Sequence, residues 1–312
     1  MLTWELVGAV VGAGLASGRE VASFFSQYGA WGYGGIIISI STMIFLADTH
    51  MPIQWRNRIP EVVWNLMFRL LLMVTGGAML AGSGEIIAKA LPIHGASGIG
   101  MIGTIALASM LAIKAPNGLA IISRILMGVM LLLLCLGFFI QPMKGVAIVE
   151  HNQCGALIRG MTHGGFNAAL LVPVIAGMKV ENTMPIRRSI RYAAGIVLTL
   201  LTLGNTLIMR HSVLLQEQMP FVRLLSQLGK PGYCLGLGTM YMAILSTLTA
   251  VMHGLRASAI WIIGICIVAL AGFENVVEWG YPALGCICFG LLVVAKFINC
   301  QPNSFQSGGN VV

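Results

Sequence analysis

The sequence predicts an all-helical protein that crosses a membrane many times. Of its 312 residues, 57% are hydrophobic and 9% are charged, whereas a soluble domain carries about 25% charged residues. Apolar stretches approaching the length of a membrane-spanning helix, about 20 residues, recur along the chain. The net charge of +8 comes from bases scattered between these stretches. It therefore indicates orientation in a membrane rather than nucleic-acid binding.

Ten apolar segments follow one another along the chain. The connection at 209–232 has apolar residues at helical spacing in its second half, which predicts a helix lying on the membrane surface. The polar end predicts a disordered cytoplasmic tail over 299–312, after a single transmembrane domain over 1–298. The ten segments are 4–25, 30–48, 63–89, 98–113, 118–140, 160–179, 189–209, 232–255, 257–271 and 279–298.

The basic residues predict the orientation of these segments. If the N-terminus lies inside, the inner loops and helix ends carry more Lys and Arg than the outer ones, most densely at 187–191. Short cytoplasmic loops carry such an excess in membrane proteins. We therefore expect both termini to face the cytoplasm.

The first segment is interrupted by glycines and then carries charge. Its sequence VGAVVGAGLASGREVASFF (7–25) contains Gly12, Gly14 and Gly18. Glycine costs roughly 1 kcal/mol per interior helix position relative to alanine. A broken spanning helix exposes backbone carbonyls and amides to a solute. The residues expected to bind substrate here are Gly12, Ala13, Gly14 and Ser17.

The ten segments divide into two sets of five, over about 4–140 and 156–298. Because five is odd, the second set crosses the membrane in the opposite sense, as an inverted repeat requires. The sixth segment corresponds to the first and contains Gly160, Gly164, Gly165 and Pro173, which predicts a matching interruption. Close helix packing is the alternative explanation of these glycines. The substrate-binding residues expected in this segment are Gly165, Phe166 and Asn167.

The stretch VGAVVGAGLASGREVASFF resembles the opening of YkvI-like bacterial membrane proteins, which begin with a similar GAGFASGQE stretch and a paired Phe. That family resembles the amino acid–polyamine–organocation superfamily. The resemblance implies a LeuT-like fold of five plus five inverted helices in a bacterial cytoplasmic (inner) membrane. It also implies that 209–232 is similar to an extracellular lid.

The wider resemblance implies a site for Na⁺ as the coupling ion, with H⁺ as the alternative. In sodium-coupled LeuT-fold carriers, carbonyls of the unwound first helix and two adjacent hydroxyl residues of the eighth helix hold the ion. When the first segment is aligned with those carriers by its glycines, the resemblance implies that the ion is held by the carbonyls of Gly8 and Val11 and the hydroxyls of Ser246 and Thr247. Hydrogen bonding of these hydroxyls to their own helix is the alternative.

Three ionisable residues are candidates for gating or proton coupling. Arg19 and Glu20 fall in the outer third of the first segment, where they could close a vestibule or simply lie at the interface. Glu85 stands four residues before Lys89, so a salt bridge between them is the alternative to proton binding.

These patterns favour a secondary active transporter of a small solute, an amino acid or related zwitterion, which works by alternating access with Na⁺ or H⁺ symport. The expected partners are the solute and the lipid bilayer, with no nucleic acid. No enzyme motif or cofactor site is apparent, since the sequence lacks GxSxG, a P-loop and metal-ligand spacing. The alternative is a membrane scaffold or assembly factor that uses the same fold without transport.

Overall fold

The computed structural model describes residues 2–47, 61–91, 93–114, 152–176, 183–256 and 258–299, with a few positions between 125 and 137. Short 3-10 helices at Ser26–Tyr28 and Ser212–Gln216 and a π turn at Val276–Gly280 connect the α-helices. The α-helices are α1 Leu2–Val10, α2 Ala13–Ser17, α3 Arg19–Phe24, α4 Trp31–Ala47, α5 Glu61–Ala90, α6 Ala96–Lys114, α7 Gln153–Ala176, α8 Thr183–Met209, α9 Pro220–Ser226, α10 Gly229–Gly254, α11 Ala259–Ala269, α12 Phe273–Asn275 and α13 Tyr281–Asn299.

Within the described part of the chain, five helical stretches are long and apolar enough to cross a membrane. Two shorter apolar helices, α4 and α11, accompany them. The expected segment at 118–140 and the expected tail at 299–312 lie outside the described residues, apart from the few positions named above and Asn299, which ends α13. The five stretches are Val62–Ala90, Ala96–Ile113, Ile186–Met209, Gly229–Gly254 and Phe273–Lys296.

The first segment is broken where its glycines predict. The Gly12 amide donates to the carbonyl of Val10 instead of that of Gly8, and Gly12 itself adopts an extended conformation. The regular pattern resumes when the Ala16 amide donates to the Gly12 carbonyl. The helix therefore stops after Val10 and starts again at Ala13.

A second break follows at Gly18, which has a φ of +83°. Residues with a Cβ rarely adopt this left-handed conformation, so glycine ends α2 here and lets α3 leave in a new direction. The first segment thus contains three short helices rather than one long one.

The expected interruption of the sixth segment is wrong, because α7 runs without a break from Gln153 to Ala176. Its glycines allow close helix packing instead. A Cβ on Gly160 would collide with the carbonyl oxygen of Gly35, and one on Gly164 would collide with that of Ser39. Small residues let membrane helices approach in this way, so α4 and α7 pack with their backbones nearly touching.

The helices pack in two groups. In one group, α4 packs against α7 and α8, and α1 packs against the same two helices. In the other, α5 packs against α6, α10 and α11, and α6 also packs against α10. The short helix α2 touches α5 and α10, so the broken first segment lies where the two groups meet.

The connection at 209–232 is not a helix on the membrane surface. Its helix α9 is short, and Pro220, Phe221, Val222, Leu224 and Leu225 are buried. It packs against α10 and α2. The apolar spacing in this stretch therefore serves contacts inside the protein, and we refer to residues 212–226 as the lid.

The contact between α4 and α7 yields a stability prediction. Gly160→Ala should lower the melting temperature of the purified protein, because the added methyl group meets the Gly35 carbonyl and overpacking costs about 1–3 kcal/mol. Gly195→Ala is the matched control, since nothing lies within 4 Å of a Cβ at that position. Equal melting temperatures for the two variants would contradict this account of the helix contact.

Candidate functional site

A cavity of about 390 Å³ lies beside the break in the first segment. Its walls come from α1, α2 and α3 together with α5, α7, α10 and α13. Its volume falls within the usual range for small-molecule sites, roughly 300–1,000 Å³. The residues that line it are Gly8, Ala9, Val10, Val11, Gly12, Gly14, Ala16, Glu20, Phe68, Leu72, Thr75, Phe166, Leu170, Ala243, Ser246, Thr247, Ala250, Val251, His253, Gly254 and Tyr281.

The cavity brings together many of the residues expected from the sequence. Gly12 and Gly14 line it with Phe166, as does Glu20. The four residues expected to hold Na⁺ also line it, namely Gly8, Val11, Ser246 and Thr247.

Three residues expected to bind substrate are not among the described residues that line the cavity, and they make contacts elsewhere. Ser17 caps a helix turn, since its hydroxyl donates to the Gly14 carbonyl at 2.8 Å and accepts from the Arg19 amide at 3.1 Å. Gly165 faces α13, where a Cβ would lie 2.6 Å from Cβ of Phe289. Asn167 is buried against His163. The side chain of Ala13 lies outside the described set.

Polar groups in the apolar wall are few, and some are open to a bound solute. The hydroxyl oxygen of Thr75 is buried and has no hydrogen-bond partner among the described residues. The Gly8 carbonyl does not receive the Gly12 amide. Phe166 and Tyr281 stack with their ring centroids 4.7 Å apart and form a flat aromatic wall.

Arg19 closes one end of this region by joining three parts of the chain. Its guanidinium lies 2.6 Å from a carboxylate oxygen of Glu274 and 3.2 Å from one of Glu278. It also donates to the carbonyls of Leu215 and Glu217 in the lid, at 3.0 and 3.4 Å. Arg19 is itself buried. The first segment, the lid and the start of the last long helix are therefore held together by one side chain.

The conformation of Gly18 adds a second closure at the same end. A Cβ at this position would lie 2.9 Å from the ring of Phe221. Phe221 is buried, so the lid rests directly on the left-handed turn between α2 and α3. Only glycine allows both the turn and this contact.

The other end of the cavity leads away from the lid. A second cavity of about 510 Å³ shares Phe68, Leu72 and Gly254 with the first. It lies near the start of α5 and the end of α10, where Arg69 and Arg256 line it. The lid thus contacts the first segment at one end of the main cavity, and the second cavity adjoins it at the opposite end.

A buried polar network lies on the wall beside Glu20. His163 Nε2 is 2.9 Å from Glu20 Oε1, and His163 Nδ1 is 2.7 Å from the hydroxyl of Ser39. Phe24 and Phe25 place their rings edge-on to the imidazole, at 5.0 and 4.9 Å between centroids. Glu20 is 4% exposed and His163 is 2% exposed, so the pair is shielded from bulk water.

Glu85 is separate from this network. It is half-buried near the end of α5 and interacts electrostatically with Lys89 on the same helix, and with Glu274. It is not among the described residues that line the main cavity. The pairing with Lys89 that its spacing predicts stays a prediction.

Some residues at the site have sequence features that point to a role, although no role was predicted for them from the sequence. His163 is an ionisable residue inside an apolar segment, and such residues usually face a site. Glu274 and Glu278 stand one helical turn apart, so both can reach a single arginine. Tyr281 carries no signal of this kind, because only the fold brings it against Phe166.

Comparison with known proteins agrees with the membrane assignment. A curated relative is "Uncharacterized membrane protein YkvI" of Bacillus subtilis (strain 168), which is 24% identical over 221 residues. The chain is a multi-pass membrane protein. The match covers 65% of this chain and 62% of the relative, so the chain matches less than two thirds of that protein's length. No family model matches the chain. The similarity supports the expected resemblance to YkvI-like membrane proteins.

The contacts of Arg19 predict how the lid is held. Arg19→Gln should accelerate hydrogen–deuterium exchange in the lid about tenfold or more, because it leaves Glu274 and Glu278 unpaired at a partly buried site. Arg223→Gln is the control, since Arg223 is 60% exposed and makes only a 3.5 Å pair with Glu217. Unchanged lid exchange in Arg19→Gln would show that Arg19 does not fasten the lid.

Proposed function

We propose that this protein is a secondary active transporter that moves an amino acid or related zwitterion by alternating access. The observation that carries the proposal is the cavity beside the broken first segment, with the lid contacts at one end and an adjoining cavity at the other. A membrane anchor or a rigid scaffold has no need of such a cavity.

The chemistry of the cavity suits a zwitterion. Helix starts offer amides to a carboxylate, and the carbonyls freed at a helix end attract an ammonium group or a cation. The break at Val11–Gly12 supplies both kinds of group within one wall. The Thr75 hydroxyl and the stacked Phe166–Tyr281 pair add a hydrogen-bonding group and an apolar face.

The packing of the helices supports alternating access. The group of α1, α4, α7 and α8 corresponds in chain order to segments one, two, six and seven. The group of α5, α6, α10 and α11 corresponds to segments three, four, eight and nine. Each segment of the first set thus lies in the same group as the segment five places later in the chain. Two five-helix repeats of a LeuT-like fold would produce this arrangement. Rocking of one group against the other would open the lid end.

We assign the lid to the outside of a bacterial cytoplasmic membrane and both termini to the inside. The basic residues near the start of α8 support this orientation, because Arg187, Arg188 and Arg191 then lie at the cytoplasmic face. The adjoining cavity near Arg69 and Arg256 then lies on the cytoplasmic side.

Coupling to Na⁺ is supported by the donor groups at the break. Hard cations prefer oxygen ligands, and the Gly8 carbonyl is released by the rerouted Gly12 amide. The Ser246 hydroxyl donates to the Ala243 carbonyl at 3.0 Å, which leaves its oxygen lone pairs free for a cation. Val11 and Thr247 line the same cavity. Coupling to H⁺ is the alternative.

Counterflow of labelled amino acids in liposomes tests transport itself. Gly14→Leu should abolish counterflow, because a Cβ at this position already lies 2.6 Å from Glu20 Oε2 and 3.4 Å from Tyr281. Lys89→Ala should retain counterflow, since Lys89 is exposed and does not line the main cavity.

The same assay separates the transporter from a scaffold. A scaffold would exchange no solute from a broad amino acid panel, and none would raise its melting temperature. That result for the unaltered protein would overturn the proposal. If Gly14→Leu retained full counterflow, the site would lie elsewhere in the protein.

The sodium site predicts a specific change in ion dependence. Thr247→Val keeps the side-chain shape and removes the hydroxyl, so the Na⁺ concentration that gives half-maximal uptake should rise about tenfold. Each tenfold corresponds to about 1.4 kcal/mol of lost binding free energy. Counterflow at saturating Na⁺ should remain near that of the unaltered protein. An unchanged sodium dependence would remove Thr247 from the ion site.

A further inference from the structure

The buried network around His163 fixes one oxygen of Glu20 and leaves the other at the cavity. Oε1 is 2.9 Å from His163 Nε2, whereas Oε2 is the atom that a Cβ on Gly14 would approach to 2.6 Å. Gly14 and Glu20 both line the cavity. One carboxylate oxygen is therefore held inside the protein and the other faces the space that a solute would occupy.

The partners of His163 hold its ring in place. The Asn167 amide nitrogen donates to the His163 carbonyl at 3.0 Å. The same amide nitrogen lies 3.1 Å from Nδ1 and 3.2 Å from Nε2, so it does not distinguish the two ring nitrogens. The Ser39 hydroxyl is 2.7 Å from Nδ1, and Glu20 Oε1 is 2.9 Å from Nε2. Because an ionised carboxylate can only accept, Nε2–H donates to Glu20 Oε1.

We propose that Glu20 binds the coupling proton of this transporter on the oxygen that faces the cavity, and that His163, held by Ser39 and Asn167, is a positioning residue for its carboxyl group. This inference rests on the proposed transport function and develops its H⁺-coupled alternative, for which it names the group that binds the proton. In the step itself, a hydronium ion in the cavity gives its proton to Glu20 Oε2, which yields water and a carboxylic acid. Water takes the proton back when the cavity opens to the other side.

Charged groups around the pair are already engaged with other partners. Arg19 is next to Glu20 in the chain, but its guanidinium is bound to Glu274 and Glu278. Arg159, one turn before His163, donates to the Glu278 carbonyl and lies 5.9 Å from the Phe24 ring.

The remaining titratable groups described near the pair are Tyr281 and His253. Tyr281 lies beside Gly14 and interacts electrostatically with Glu20, and its phenol is neutral at ordinary pH. Among the described cavity-lining residues, the other ionisable side chain is His253, at the end of α10. No arginine or lysine is among the described residues that line the main cavity.

This arrangement explains how proton binding would couple to movement. An ionised carboxylate facing an apolar cavity is costly to dehydrate, so it opposes closure of the cavity around it. Protonation removes the charge while His163 keeps the carboxyl group in place. The neutral form can then be enclosed with the solute, and the charged form favours a cavity open to water.

Uptake into liposomes under an imposed pH gradient tests the inference. For the unaltered protein, an alkaline interior should raise the initial rate of amino acid uptake about fivefold over equal pH. Glu20→Gln should lose the response to the pH gradient, measured as the ratio of its own uptake rates with and without the gradient. Glu85→Gln removes the same charge from a carboxyl group outside the cavity, so it should keep the response.

A readout that needs no substrate checks proton binding directly. Acidification of the purified protein should produce an infrared carboxylic-acid C=O band that Glu20→Gln lacks and Glu85→Gln retains. Ser39→Ala should shift the pH at which this band appears, because it removes a donor to His163 Nδ1. A merely structural role for Ser39 would lower the melting temperature and leave that pH unchanged.

The outcomes separate the two proposals. If the unaltered protein shows no counterflow, the transport function fails. If it shows counterflow but no response to the pH gradient, or if Glu20→Gln keeps the response, the proton site is wrong while transport stands. Should Glu20→Gln fail to fold, the Ser39→Ala shift decides, and an unchanged pH midpoint overturns the inference.

Discussion

The structure depends on how backbone polar groups are satisfied at the break in the first membrane segment. In lipid, an unpaired amide or carbonyl costs several kcal/mol, so irregular backbone is tolerated only where protein or a water-filled cavity surrounds it. Here the break at Val11–Gly12 faces α5 and α10 across a cavity. The two groups of helices therefore enclose the interrupted backbone, and the candidate site follows from the need to accommodate it.

Close packing of α4 against α7 supplies the rigidity that this arrangement needs. Backbones that approach at Gly35 and Gly160 leave little freedom for either helix to slide or rotate. Ser39 of α4 and His163 of α7 then meet inside the contact at 2.7 Å. The polar network beside Glu20 is thus built on the close contact between α4 and α7.

The sequence predicted the helical membrane class and the break at Gly12 because composition and glycine placement act locally. It also identified Glu20, Ser246 and Thr247, which line the cavity. It failed for α7, because a glycine that breaks a helix and a glycine that admits a neighbouring backbone look alike in one sequence. The partners of Arg19 lie about 200 and 255 residues further along the chain. A local sequence pattern cannot predict contacts between residues so far apart in sequence.

The guanidinium of Arg19 holds the lid end through ion pairs, so these contacts depend on the salt concentration as well as on packing. The side chains of Glu274 and Glu278 are each 36% exposed, so solvent ions reach this junction although the arginine is buried. Salt screens exposed charges within about 10 Å at 0.1 M ionic strength. With the lid on the outside of the membrane, as we propose, a higher external salt concentration would weaken this junction and shorten the time that the lid stays shut.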